Sequence, residues 1–159
     1  MGRGSGMEPC VVIEPPPGGE FLDSTIRNVR CTRSSRTAAV ADFDGDGRLE
    51  IVTNNFNDGP YLFRNQLPRH SWISVRLEGT RSNRDAVGAI VRIPLNGQIL
   101  TRHLQTSGGY LAQSSKILHF GLGDAKSVPE IEIWWPNGTR QTVRDLEINR
   151  QHRFVEPQE

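Results

Sequence analysis

No stretch of this 159-residue chain approaches the roughly 18 consecutive apolar residues of a spanning helix, which excludes an integral membrane protein of that kind. An excess of either charge is missing too: 19 Lys and Arg face 18 Asp and Glu, for a net charge of +1. A basic nucleic-acid footprint, an acidic tail and a polybasic membrane patch are all excluded by that balance. Only two cysteines occur, Cys10 and Cys31, too few for a disulfide scaffold, and no second Cys or His pair stands at zinc-ligand spacing. A Cys10–Cys31 bridge in an exported protein and two free thiols both stay open. The four histidines, His70, His103, His119 and His152, are scattered singly, and there is no Gly-x-Ser-x-Gly elbow. With no base beside a nucleophile, the chain reads as a non-enzyme. The apolar h-region of a secretory signal is also absent. Met1-Gly2-Arg3-Gly4-Ser5-Gly6 before Met7 reads as a tag left by expression, or as the false start of a chain that has lost its beginning. Nor does any apolar pattern hold a 3.6-residue period, so no convincing helix is expected.

What is present suits a turn-rich β protein. The 35% hydrophobic content can fill a core, 16 Gly and 10 Pro imply many turns, and the length fits one domain or one domain plus a short appendage. Residues 1–36 carry little pattern: Pro15-Pro16-Pro17-Gly18-Gly19 is a breaker cluster. Arg27, Arg30, Arg33 and Arg36 lack the interleaved aromatics of a nucleic-acid arm, so this segment reads as loop and fragmentary strand.

From Thr37 the signal sharpens. Ala38–Ala41 is a short strand, Asp42–Gly47 a carboxylate-packed turn, Leu49–Thr53 a strand, Asn55–Pro60 a turn and Tyr61–Phe63 a strand. Residues 37–66 therefore read as a β-meander. After Gln66-Leu67-Pro68-Arg69 the alternation becomes clean, with Ile73, Val75 and Leu77 on one face and Ser74, Arg76 and Glu78 on the other. Val87, Ala89, Val91 and Ile93 repeat the pattern, as do Leu118, Phe120 and Leu122, then Ile131, Ile133 and Trp135. Turn signals separate them at Asn96-Gly97, Gly108-Gly109, Gly123-Asp124 and Pro136-Asn137-Gly138. Short strands at this spacing predict an all-β fold, with residues 70–157 as an antiparallel β-sandwich or barrel. Its expected core contains Ile73, Val75, Leu77, Val91, Phe120, Ile131, Ile133 and Trp135.

Chemistry concentrates in the acidic turn. Asp42, Asp44, Asp46 and Glu50 occupy positions 1, 3, 5 and 9 of one tight loop, and carboxylates this close repel unless a cation neutralises them. An all-oxygen ligand set selects a hard ion, so the expected cofactor is Ca²⁺, with the carbonyl of Arg48 at position 7 as main-chain ligand. Gly45 and Gly47 allow the backbone to wrap the ion. An EF-hand is excluded, because its bidentate Glu at position 12 is Thr53 here and its flanking helices are missing. Mg²⁺ is the lesser alternative, being reluctant to shed water. A solvated Asp/Gly turn with no ion is the plain structural reading of the same residues.

These residues carry a resemblance. The run from Ala39 to Val52 resembles an FG-GAP, or VCBS-type, repeat, the blade unit of integrin-like β-propellers, with Glu50 where that repeat usually has Asp. The C-terminal part of the chain is similar to the ASPIC/UnbV C-terminal domain, through the segments 79–89, 107–115, 118–123 and 135–138. The resemblance implies an extracellular or periplasmic protein in which calcium-loop blades precede a β-sandwich-like domain, with no catalytic activity established for the family. Residues 37–66 would then be a partial propeller blade and 70–157 the ASPIC/UnbV-like domain. Residues 1–36 would be a tag or the remnant of a preceding blade, and neighbouring blades of a longer chain are the expected partners.

Two polar loops, Arg81–Asp85 and Ser107–Ser115, each admit two readings. In one, Asp85 pairs with Arg81 or Arg84, and the Gly-Gly-Tyr loop simply packs. In the other, they bind a glycan or protein, with Tyr110 as an aromatic platform. Trp134, alternating away from Ile131, Ile133 and Trp135 and flanked by Glu130 and Glu132, is the second candidate binding aromatic. Asn137-Gly138-Thr139 matches a glycosylation sequon and equally an ordinary turn. The sequence thus points to a calcium-stabilised, exported β module for adhesion or recognition. A purely structural propeller cap and a glycan-binding accessory domain of a hydrolase are its alternatives.

Overall fold

The computed structural model describes residues 35–158; the reading of residues 1–34, with Cys10 and Cys31, lies outside them. Ten strands and no helix occur among the described residues. They fall into two compact units, residues 35–69 with 107–114, and residues 70–106 with 115–158.

In the first unit, β1 (Ser35–Ala41), β2 (Glu50–Asn55) and β3 (Asp58–Phe63) form an antiparallel meander in that order. The acidic loop links β1 to β2, closing next to the pair Ala41 and Glu50. Pro60 lies within β3 rather than in the turn before it. Ser114, in the 107–114 loop, accepts a hydrogen bond from the Val40 N–H through its Oγ at 3.3 Å.

The second unit has two sheets. One runs β10 (Arg150–Val155), β4 (Ser71–Glu78), β7 (Leu118–Gly123). The other runs β6 (Gln98–His103), β5 (Ile90–Leu95), β8 (Val128–Trp134), β9 (Arg140–Leu146). Alternation turns Ile73, Val75, Leu77, Phe120 and Leu122 of the first sheet and Val91, Ile93, Ile131, Ile133 and Leu146 of the second into one buried cluster. This is a β-sandwich, and no barrel closes. All eight expected core residues are buried, including Trp135, which keeps its indole satisfied by donating from Nε1 to Gln141 Oε1 at 3.1 Å.

The second unit departs from expectation at three places. The sheet is not wholly antiparallel, because β10 pairs with β4 in parallel, from Arg150 beside Ile73 to Val155 beside Glu78. The chain changes sheets between β9 and β10, where Asn149, in the left-handed region at φ 59°, donates its N–H to the Trp72 carbonyl. Val87 does not begin a strand: Asn83 brackets it, accepting the Val87 N–H at 2.8 Å and donating to its carbonyl at 2.9 Å. That turn buries Ala86 and Ala89 instead, and β5 starts at Ile90. Asp85 pairs with Lys116 at 2.5 Å rather than with Arg81 or Arg84.

A carboxylate fastens the end of this unit. Glu156, 1% exposed, accepts the N–H groups of Thr80, Arg81 and Ser82 at Oε2, each at 2.8 Å, and the Ser82 hydroxyl at Oε1 at 2.7 Å. Gly79 opens that loop because any side chain there would collide with the Asn83 carbonyl oxygen.

Candidate metal centre

The loop between β1 and β2 folds around Asp42. Its Oδ1 accepts the N–H groups of Gly45 and Asp46 at 2.7 and 3.2 Å, and its Oδ2 that of Gly47 at 2.9 Å. Gly45 and Gly47 stand at φ 74° and 87°, which turns these amides inward. Glu50, the first residue of β2, is 3% exposed and reaches back so that Oε2 accepts the Phe43 N–H at 3.0 Å. Its Oε1 is buried with no hydrogen-bond partner. One oxygen each of Asp42, Asp44 and Glu50 lies within 4.8 Å of the others, close enough to share one ion.

Asp46, the fourth expected carboxylate, stands outside that group. Its Oδ2 accepts from Arg48 Nε at 2.9 Å, Arg48 Nη2 at 2.5 Å and Arg69 Nη2 at 3.2 Å, while its Oδ1 accepts the Arg48 N–H at 2.9 Å. The Arg48 side-chain hydrogen bond, above all, pulls the Asp46 pKa down to about 2. Arg48 also donates from Nη1 to the Leu67 carbonyl at 3.2 Å, so its side chain braces the loop as well as offering a backbone carbonyl. Arg64 donates to Asp44 Oδ2 at 2.6 Å. Two of the four acids, Asp44 and Asp46, thus pair with three guanidiniums, from Arg48, Arg64 and Arg69. Sequence spacing pointed to the acids and missed these bases, because Arg64 and Arg69 come from the far side of β3.

The candidate aromatics part company. Tyr110, in the first unit, is 72% exposed. Trp134, in the second, is half-buried, with Arg92 of β5 at 4.0 Å and Arg140 of β9 at 4.3 Å over its ring. Two cations from the flanking strands cover that indole.

A two-sheet sandwich entered from a β-meander with an acidic loop defines a class, and comparison with known proteins identifies it. Residues 79–159 match the family described as ASPIC and UnbV, and the chain belongs to that family. Among individual proteins, it is similar to cartilage acidic protein 1 of Mus musculus, 30% identical over 127 residues, covering 76% of this chain and 19% of that protein. The Homo sapiens protein of the same name is 29% identical over 127 residues, with the same coverage. That of Xenopus tropicalis is 30% identical over 118 residues, covering 70% and 18%. The chain therefore spans about a fifth of the length of these relatives.

Proposed function

We propose that the chain is a non-enzymatic, calcium-binding β module of an extracellular protein, serving adhesion or recognition. The observation that carries the calcium reading is Glu50, whose Oε1 is buried without a hydrogen-bond partner and one of whose carboxylate oxygens lies within 4.8 Å of oxygens of Asp42 and Asp44. A buried charged oxygen left unpaired is costly, and a cation removes that cost. Three carboxylates and no nitrogen or sulfur ligand favour a hard, flexible coordination sphere, hence Ca²⁺. In this reading Asp42, Asp44 and Glu50 bind through side-chain oxygens and Arg48 through its carbonyl. Asp46 turns Oδ1 toward the ion while Oδ2 keeps its arginines. Among the described residues no helix is long and apolar enough to cross a membrane. The relatives' name ties them to cartilage, which supports the exported assignment.

Calorimetry with Ca²⁺, with Mg²⁺ as control, tests the site. Extracellular modules bind with constants on the order of 10⁻⁴–10⁻³ M. At about ten times that concentration, linkage adds about 1.4 kcal/mol of stability, so the melting temperature should rise by a few degrees and fall back with chelator. Asp44→Ala should abolish the response. Absence of binding at millimolar Ca²⁺, or a full response in Asp44→Ala, would refute the assignment.

A further inference from the structure

We propose that a groove in the first unit binds a sugar residue carrying a carboxylate, stacked on Tyr110 and charge-paired with Arg36; the proposal deepens the recognition reading above and rests on it. The groove is open to solvent, with a volume of about 620 Å³. Its walls are the start of β1 at Arg36, the β2–β3 hairpin at Asn54, Phe56 and Asn57, and the loop bearing Tyr110 and Leu111.

Of the six large hydrophobics exposed among the described residues, three gather here: Phe56 at 61%, Tyr110 at 72% and Leu111 at 83%. Leu111 sits at φ 53°, a left-handed backbone that a bulky residue avoids unless the surroundings hold it there. The walls are braced. Buried Asn55 accepts the Ser35 hydroxyl at Oδ1 and donates from Nδ2 to the Gly59 carbonyl, both at 2.7 Å, tying β1 to the hairpin. Ser114 holds the loop to Val40.

Charge and polarity select the ligand. The Arg36 guanidinium lies 5.3 Å from the Phe56 ring centroid and makes no ion pair among the described residues. None of the described lining residues is acidic, so among the described residues the Arg36 guanidinium is left for bidentate binding of a carboxylate. The side-chain amides of Asn54 and Asn57 are exposed and have no hydrogen-bond partner among the described residues, which suits the donor-and-acceptor pattern of neighbouring hydroxyls. An acidic peptide would satisfy Arg36 but would bring no hydroxyl pair for these amides. A pyranose supplies both, with a C–H face for the Tyr110 ring.

The test uses the whole chain in calcium buffer, a tetrasaccharide containing uronic acid, and the same tetrasaccharide with its carboxyls reduced to alcohols. Saturation-transfer NMR and calorimetry should show the acidic probe binding at least tenfold more tightly than the reduced one. Tyr110→Ala should abolish binding, and Arg36→Gln should lower affinity for the acidic probe to that of the reduced probe. Tyr110 is exposed, so its variant should keep the wild-type melting temperature, which separates lost binding from lost fold. No binding of the acidic probe, equal affinity for both probes, or tighter binding of a glutamate-rich peptide would overturn the proposal. An array of glycans and matrix proteins distinguishes the two levels. A hit that survives Tyr110→Ala overturns the groove alone, whereas a blank array removes the recognition reading with it.

Discussion

Replacing Glu156 with Gln removes a charge that the fold has wrapped in donors. Burial by itself would raise the pKa of this carboxyl, but the hydrogen bonds from Ser82, Arg81 and Thr80 outweigh it and bring the value from 4.5 to about 2. That gap corresponds to about 3 kcal/mol of folded-state stabilisation once the group is ionised. The sign is set by the direction of the shift. The folded pKa lies below the unfolded one, so the contribution is complete above pH 4.5 and is lost as pH falls toward 2. Gln keeps one acceptor oxygen and turns an NH₂ toward amides that also donate, so little of the stabilisation should survive. Urea unfolding of wild type and Glu156→Gln at pH 7 should differ by about 3 kcal/mol, and the difference should shrink below about 1 kcal/mol near pH 2. A difference that stays constant across that range would show that Glu156 acts through packing, and the reasoning from its ionised hydrogen bonds would fail.

Two further outcomes are expected. Arg64→Ala frees Asp44 Oδ2, and since the two side chains are 55% and 35% exposed, solvent screens their pairing and the effect should be modest. The Ca²⁺ dissociation constant should accordingly fall in calorimetry, and an unchanged or larger constant would show that Arg64 does not compete with the ion. Ile133→Ala, at a fully buried position, should cost about 2–5 kcal/mol in urea unfolding, and a loss below about 0.5 kcal/mol would contradict its place in the core.

The sandwich core was legible because its strands have one apolar face and one polar one. Ile73, Val75 and Leu77, or Ile131 and Ile133, alternate with polar residues as such strands must. β9 and β10 escaped because they are mostly exposed: in Arg140–Leu146 only the last residue is buried, and in Arg150–Val155 none is. Their assignment depends on partners far along the chain, as does the parallel pairing of β10, which no local pattern encodes. The acidic loop announced its carboxylates through spacing. It could not announce that Asp46 is claimed by Arg48 and Arg69, since which acid meets which base is settled by tertiary placement. Trp134 shows the same limit: alternation placed it on the outer face, but the arginines that cover it come from two other strands.

The parallel pairing of β10 with β4 has a consequence for biosynthesis. Ile73 emerges early and waits for Arg150, its register partner, to be made. At roughly 5–20 residues per second, that interval is about 4 to 15 s. Throughout it, the strand carrying Ile73, Val75 and Leu77 has one edge without its final neighbour, a template that a second nascent chain could pair with. A domain organised this way folds late and slowly, as expected where the closing contact is the most distant in sequence. Slower translation would lengthen that exposure, so the yield of folded protein should depend on elongation rate as well as on final stability.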